Sequence, residues 1–257
     1  MPETFLYNIN AEYIVFFLMI CMFLLFYTGR QLHKNIKPEI QDMGPLTGFL
    51  FALLGLMLAF TFGMAGSRFD ARRGLVVQAA NNMHTAILRT DLYKDSSVRN
   101  ELKADLKDYV QARIDWYYFK RDLTKVAEAK TRSERISKKI WDRVAVLSRD
   151  PENMVASQQM VPAINAIIEV AVAREGATKA IVPEPITYLL LIMVLITSLM
   201  AGYATSIQKK FNYVAVIGFI ILVGCVIYII LDLDRPRRGL ITNDAVNQFI
   251  VNLLKLF

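Results

Sequence analysis

Four uncharged apolar runs, a charged helical stretch between the second and third of them, and no alternating strand pattern predict an all-α membrane protein. The predicted layout is four transmembrane helices with a helical bundle inserted between the second and the third. Of the 257 residues, 54% are hydrophobic and 21% charged, a mixture that suits a membrane protein with a sizeable soluble part.

The first apolar run is Tyr13 to Gly29, with Tyr13 and Tyr27 at its ends where interfacial aromatics belong. Met1 to Glu12 holds no Lys or Arg and no small-residue cleavage site follows, so this run is read as a span and not as a cleaved signal. A short loop bearing Arg30, Lys34 and Lys37 leads to Gly44-Pro45, with proline tolerated in a first helical turn.

The organising stretch is Met43 to Ser67, 25 residues without a charge, closed by Arg68-Phe69-Asp70-Ala71-Arg72-Arg73. Along it Gly48, Ala52, Gly55, Ala59, Gly63 and Gly66 recur every three or four residues, placing small side chains on one helical face. In lipid such a face lets another backbone approach closely, so crowding by neighbouring helices is expected here. Apolar positions Leu75, Ala79, Met83 and Ile87 carry the same helical spacing to about Leu92, so the second helix is expected to project well beyond the bilayer.

Ser96-Ser97 offers a cap for the next helix, marked by Leu102, Leu106, Val110, Ile114 and Tyr117. Ile136, Ile140, Val144 and Leu147 mark another, ended by Asp150-Pro151. A further helix runs from about Ser157 through Met160, Ile164, Ile167 and Ala171 to near Gly176. Together these stripes predict a bundle over residues 68–182, between transmembrane segments 1–67 and 183–231 and ahead of a tail, 232–257. The last part of the tail, Val246 to Phe257, has an apolar pattern suited either to the membrane surface or to docking on the bundle.

Lys and Arg near the span ends favour an inside location for both termini and the bundle: Arg68, Arg72, Arg73, Arg174, Lys179, Arg235, Arg237 and Arg238 against Arg30, Lys34, Lys37, Lys209 and Lys210. The bundle region mixes 21 basic with 15 acidic residues, which describes solvated helix faces and not a nucleic-acid stripe. Trp116, Tyr117, Tyr118 and Trp141 read as core and interfacial aromatics. Cys21 and Cys225 sit in apolar runs as small hydrophobes, and His33 and His84 have no companions at metal-ligand spacing. Neither a phosphate loop, a Gly-x-Ser-x-Gly elbow, a His-Glu-x-x-His nor a Cys-x-x-Cys occurs, so neither an enzyme nor a bound cofactor or metal is expected.

This order of parts resembles the bestrophin channels. Leu58-Ala59-Phe60-Thr61-Phe62, followed by Arg68-Phe69, is similar to the Leu-Gly-Phe-Tyr-Val stretch of the bestrophin second helix and the Arg and aromatic at its membrane exit. Asp232-Leu233-Asp234 leading to Pro236-Arg237-Arg238-Gly239 looks like the acidic residues and Pro-Phe-Gly that follow the bestrophin fourth helix. Phe60 to Phe62, Ser67 to Arg73 and Asp232 to Gly239 together match the signatures of a bacterial bestrophin-like family of unknown function.

The resemblance implies a ring of identical subunits, usually a pentamer, in the bacterial inner membrane, passing small ions through a pore lined by the second helix. Carried over by position, the neck would be Ala52, Leu56 and Phe60, of which only Phe60 keeps the family's aromatic. For these three residues, packing inside one subunit is the competing reading. Arg68, Arg72 and Arg73 would make a positive inner mouth favouring anions, or else serve as a positive-inside anchor. Asp70 is placed to cancel part of that field. Asp232, Asp234 and Arg235 are expected to form an ion-paired cap after the fourth helix, since two carboxylates followed by arginines are a poor oxygen cage for calcium. The alternative function is a non-conducting scaffold or signalling protein whose bundle binds a cytoplasmic protein partner.

Overall fold

The computed structural model describes residues 9–36, 44–119, 122–206, 212–236 and 238–257. Lys37, Lys209, Lys210 and Arg237, which entered the orientation argument, lie outside them. Among the described residues all regular structure is helical: α1 (Ala11–Ile36), α2 (Gly44–Arg89), α3 (Ser96–Tyr118), α4 (Leu123–Leu147), α5 (Met154–Lys179), α6 (Glu184–Thr205), α7 (Tyr213–Leu233) and α8 (Asp244–Asn252). Short 3-10 turns follow α2 and α8, over Thr90–Leu92 and Leu253–Leu256. Among the described residues four apolar stretches, in α1, α2, α6 and α7, are long enough to cross a membrane.

The chain divides into two units, the first comprising Met1–Phe69, Ile181–Arg235 and Gly239–Ile241, the second Asp70–Ala180, Pro236–Arg238 and Thr242–Phe257. In the first, Val15, Leu18 and Met22 of α1, Leu54 and Ala65 of α2, Leu190 and Val194 of α6 and Ile220, Val223 and Ile227 of α7 form one core. The close approaches are made by glycines away from α2. A Cβ at Gly29 would collide with the Leu199 carbonyl, and one at Gly202 with the Phe26 carbonyl, so α1 and α6 touch backbone to backbone. Near them the His33 ring meets the Tyr203 ring edge-on, with centroids 4.8 Å apart.

The small-residue row of α2 behaves differently. Its buried face within the first unit is Thr47, Leu54, Thr61 and Ala65, whereas Gly48, Ala52, Gly55, Ala59 and Gly63 are exposed. Among the described residues nothing lies within 4 Å of a Cβ built at Gly48, Gly55, Gly63 or Gly66, so none of them crowds this row at those glycines. Within the described chain the close backbone approaches lie between α1 and α6.

In the second unit, Val76, Ala79, Met83 and Ile87 of α2 pack with Leu102, Leu106 and Val110 of α3, Ile140 and Val144 of α4 and Met160, Ile164 and Ile167 of α5. Val246 and Ile250 of α8 and Leu253 are buried in the same core, so the tail docks on this unit. The starts of α3 and α4 are capped by side chains: Asp95, one residue ahead of the expected serines, accepts from Ser97 N at 2.8 Å, and Asp122 accepts from Lys125 N at 3.1 Å. Asp105, buried on α3, receives Lys139 Nζ at 2.6 Å and Arg143 Nε at 3.1 Å. Glu175 on α5 takes Lys179 Nζ at 2.8 Å and Lys130 Nζ at 2.9 Å, and these two ammonium groups hold its carboxyl below the usual carboxylate range.

Two outcomes follow for stability in detergent. Gly202→Ala should cost on the order of 1–3 kcal/mol or more, because the clash is with backbone and not with a movable side chain. Gly218→Ala in α7, where a Cβ meets nothing, should be neutral or slightly stabilising by thermal unfolding; equal effects would remove the α1–α6 contact as a constraint. Glu175→Gln should lower the unfolding midpoint at neutral pH. A depressed folded-state pKa contributes stability above the unfolded value and loses it as pH falls, so the gap to the wild type should close below about pH 4.

Candidate functional site

The side chains that the sequence singles out fall into three places. Leu56 and Phe60 are 52% and 62% exposed, and Ala52 is exposed beside them, on the half of α2 opposite Leu54 and Thr61. Thr61 turns its hydroxyl back onto the helix, donating to the Met57 carbonyl at 2.8 Å, so its buried polar atom is satisfied locally. Phe60 and half-buried Arg68 line one open cleft with Ala59, Gly63, Met64 and Ser67. In the apolar stretch of α2 only 17% is buried, against 33% for α1 and α7. The structure thus brings Ala52, Leu56, Phe60 and Arg68 to one uncovered side of a membrane-length helix.

Arg68, Arg72 and Arg73 do not stay together. Arg73 is exposed, whereas Arg72 is 4% exposed and lines a cavity in the second unit with Trp116 and Arg174. Asp70 is exposed and makes no ion pair with a described residue. Trp116, Tyr109 and Tyr117 belong to the second unit: Trp116 and Tyr109 are buried, and the Tyr117 hydroxyl donates to Asp244 Oδ1 at 2.7 Å. Burial and that carboxylate push the Tyr117 phenol well above its ordinary range.

The third place is the C-terminal end of α7. Asp232, 1% exposed, accepts from the backbone N–H of Leu240 at 3.1 Å and of Ile241 at 2.8 Å. Asp234 accepts from Val182 N at 3.0 and 2.9 Å with its two oxygens. Arg235 donates to the Ile9 carbonyl at 2.6 Å. Gly239 has φ +100°, and a Cβ there would run into the Asp232 carboxylate, so position 239 demands glycine twice over. Both carboxylates of the expected cap thus clamp backbone N–H groups, Asp232 those of Leu240 and Ile241 after α7 and Asp234 that of Val182 ahead of α6. Their oxygens are committed to those bonds, and no group of three or more His, Cys, Asp or Glu side chains placed to hold a metal occurs among the described residues.

Sequence reasoning passed over Arg113 and used Arg174 only as a charge near a span end; they are 5% and 4% exposed. Their signal was visible: each interrupts an apolar helix face, Arg113 between Ala112 and Ile114, and Arg174 one turn from Val170.

The family model for the bestrophin-like domain matches residues 13–242. The chain belongs to the bestrophin-like family. Its fold is that of crystal structures of a bacterial bestrophin homologue from Klebsiella pneumoniae. A variant of that protein carrying a tryptophan-to-alanine mutation matches at TM-score 0.73 and 12% identity, covering 97% of each chain. The form phased with zinc matches at TM-score 0.71 and 11% identity, covering 96% of this chain and 97% of the other. A tyrosine-to-alanine variant matches at 0.68 and 14%, covering 94% and 97%. At such identity the shared property is the fold. No curated protein matches in sequence. Characterised members of the bestrophin-like family are ion channels.

The clamp gives a direct expectation. Asp232→Ala removes the acceptor of two part-buried hydrogen bonds and should cost about 1 kcal/mol for each bond lost. Gly239→Ala should destabilise as strongly, by adding both a left-handed alanine and a collision with Asp232. Asp232→Asn retains an acceptor oxygen and should fall between wild type and Asp232→Ala in thermal unfolding; an unchanged midpoint in all three would dismiss the clamp.

Proposed function

We propose that the chain is one subunit of a bestrophin-like ion channel, a homo-oligomer and by the family's habit a pentamer, with α2 lining a central pore. Residues 1–67 and 183–231 are its transmembrane parts. The bundle over 68–182 and the tail 232–257 lie on the cytoplasmic side of the bacterial inner membrane, as the distribution of Lys and Arg favours. The observation that carries this reading is the uncovered side of α2, where Ala52, Leu56 and Phe60 stand exposed and half-buried Arg68 shares an open cleft with Phe60, on a helix long and apolar enough to span.

The mechanism is passive. The small row Gly48 to Gly63 lets the α2 helices of neighbouring subunits approach closely, and the adjoining row of Leu56 and Phe60 then faces the axis. An apolar ring of this kind gates by dewetting, and Ala52 widens it toward one end. Repeated around the ring, Arg68 and Arg73 raise the local anion concentration at the inner mouth, so small anions pass in preference to cations. Arg72 is sequestered from that role by its burial. No chemistry on a substrate and no cofactor enters this scheme.

In planar bilayers the purified oligomer should conduct, Phe60→Ala should raise conductance by widening the neck, and Arg68→Glu should shift the reversal potential toward cation preference. Absence of current, or a monomer by mass in detergent, would favour the reading in which the bundle is a membrane-anchored scaffold for a protein partner.

A further inference from the structure

Within the second unit α3, α4 and α5 line a cavity of about 70 Å³ that opens to solvent. α3 supplies Tyr109, Arg113 and Trp116, and α5 supplies Ile168, Ala171 and Val172. Arg113 is 5% exposed and makes neither a hydrogen bond nor an ion pair with a described residue. Its guanidinium carbon lies 4.6 Å from the centroid of the Trp116 ring, which supports the face of the cation but accepts none of its in-plane N–H groups. A guanidinium cannot shed its proton in a protein, and a buried charge with unused donors is costly.

The two acids that also line the cavity are held by lysines. Glu175 takes Lys130 and Lys179 at 2.9 and 2.8 Å, and Glu134 stands 3.6 Å from Lys130. Two carboxylates against two ammonium groups leave the Arg113 charge over. The hydroxyl protons of the lining serines are committed to their own helix, Ser133 donating to the Lys130 carbonyl at 2.8 Å and Ser137 to the Glu134 carbonyl at 2.9 Å. Tyr109, 2% exposed, has no hydrogen-bond partner among the described residues either. Burial pushes its phenol up, so at neutral pH it keeps a proton to donate. Arg113 and Tyr109, four residues apart on α3, therefore bring two sets of unused donors to one cavity.

The lining narrows the ligand. Unused donors on α3 match the two oxygens of a carboxylate, the partner for which the planar guanidinium is shaped. The Ile168, Ala171 and Val172 side chains of α5 suit an aliphatic body; a tetrahedral oxyanion would turn oxygens toward them without donors. We propose that this cavity binds a small organic monocarboxylate, with its carboxylate on Arg113 and Tyr109 and its short aliphatic part against α5. Binding neutralises the buried charge and ties α3 to α5. The site lies inside the second unit and does not depend on whether α2 conducts.

The test uses the full-length protein in detergent, carrying Trp141→Phe so that Trp116 is its one tryptophan. At equal ionic strength, sodium propionate should change the Trp116 emission in a saturable way, and sodium chloride should not. At a hundred times its dissociation constant, propionate should raise the thermal midpoint by roughly 5–10 °C. Arg113→Gln should abolish both responses. Tyr109→Phe should weaken binding about tenfold, the loss of one hydrogen bond to a charged group, and it decides alone if Arg113→Gln does not fold. Crystals grown in propionate should show the carboxylate beside Arg113. Equal emission and midpoints in propionate and chloride, an undiminished response in a folded variant, or water alone beside Arg113 in those crystals would each overturn the proposal. A phosphate response equal to that of propionate would overturn the assignment to a carboxylate.

Discussion

Within lipid, burying one apolar side chain against another gains little over leaving it in the hydrocarbon, so a four-helix membrane unit must find its cohesion in close backbone approach and satisfied polar atoms. The contact of α1 with α6 meets that constraint. Gly29 and Gly202 each leave no room for a Cβ, and the helices they join carry the side chains of the first unit's core. Gly224, where a Cβ would press on Met19, extends the same economy of space to α7. With these surfaces committed, α2 is left attached by one narrow face.

The second need, satisfied polar atoms, is met at the end of α7. A helix C-terminus is an unfavourable place for two carboxylates because its own carbonyls already concentrate negative charge there. Asp232 and Asp234 are stabilised by N–H donors from Leu240, Ile241 and Val182 instead. That arrangement explains why Gly239 follows the arginines: the chain must turn tightly, in a left-handed conformation, against a buried carboxylate. The sequence marked these residues as belonging together; the fold adds the backbone donors, which come from segments on either side of the last two spans.

The arginines after the second span teach the same lesson in reverse. Read along the chain, Arg68, Arg72 and Arg73 form one cluster. On a helix they point in different directions, and the structure leaves Arg73 exposed while Arg72 enters the bundle beside Trp116 and Arg174. Its companions Arg113 and Arg174 are distant in sequence, so no local pattern announces their convergence. An arginine on an apolar helix face was the available signal, and it is ambiguous because long cationic side chains often snorkel to water from such faces.

By itself the sequence determined the helical class, the four apolar spans, the positions of the bundle helices to within a few residues and the family signatures. These follow from periodicity, length and breakers, which act over one helix at a time. Tertiary structure alone decided which glycines touch a backbone, which half of α2 stays uncovered, where the tail docks and which arginines are buried. Those outcomes depend on how faces from distant segments meet, and a run of letters with helical spacing fixes a face without naming its partner.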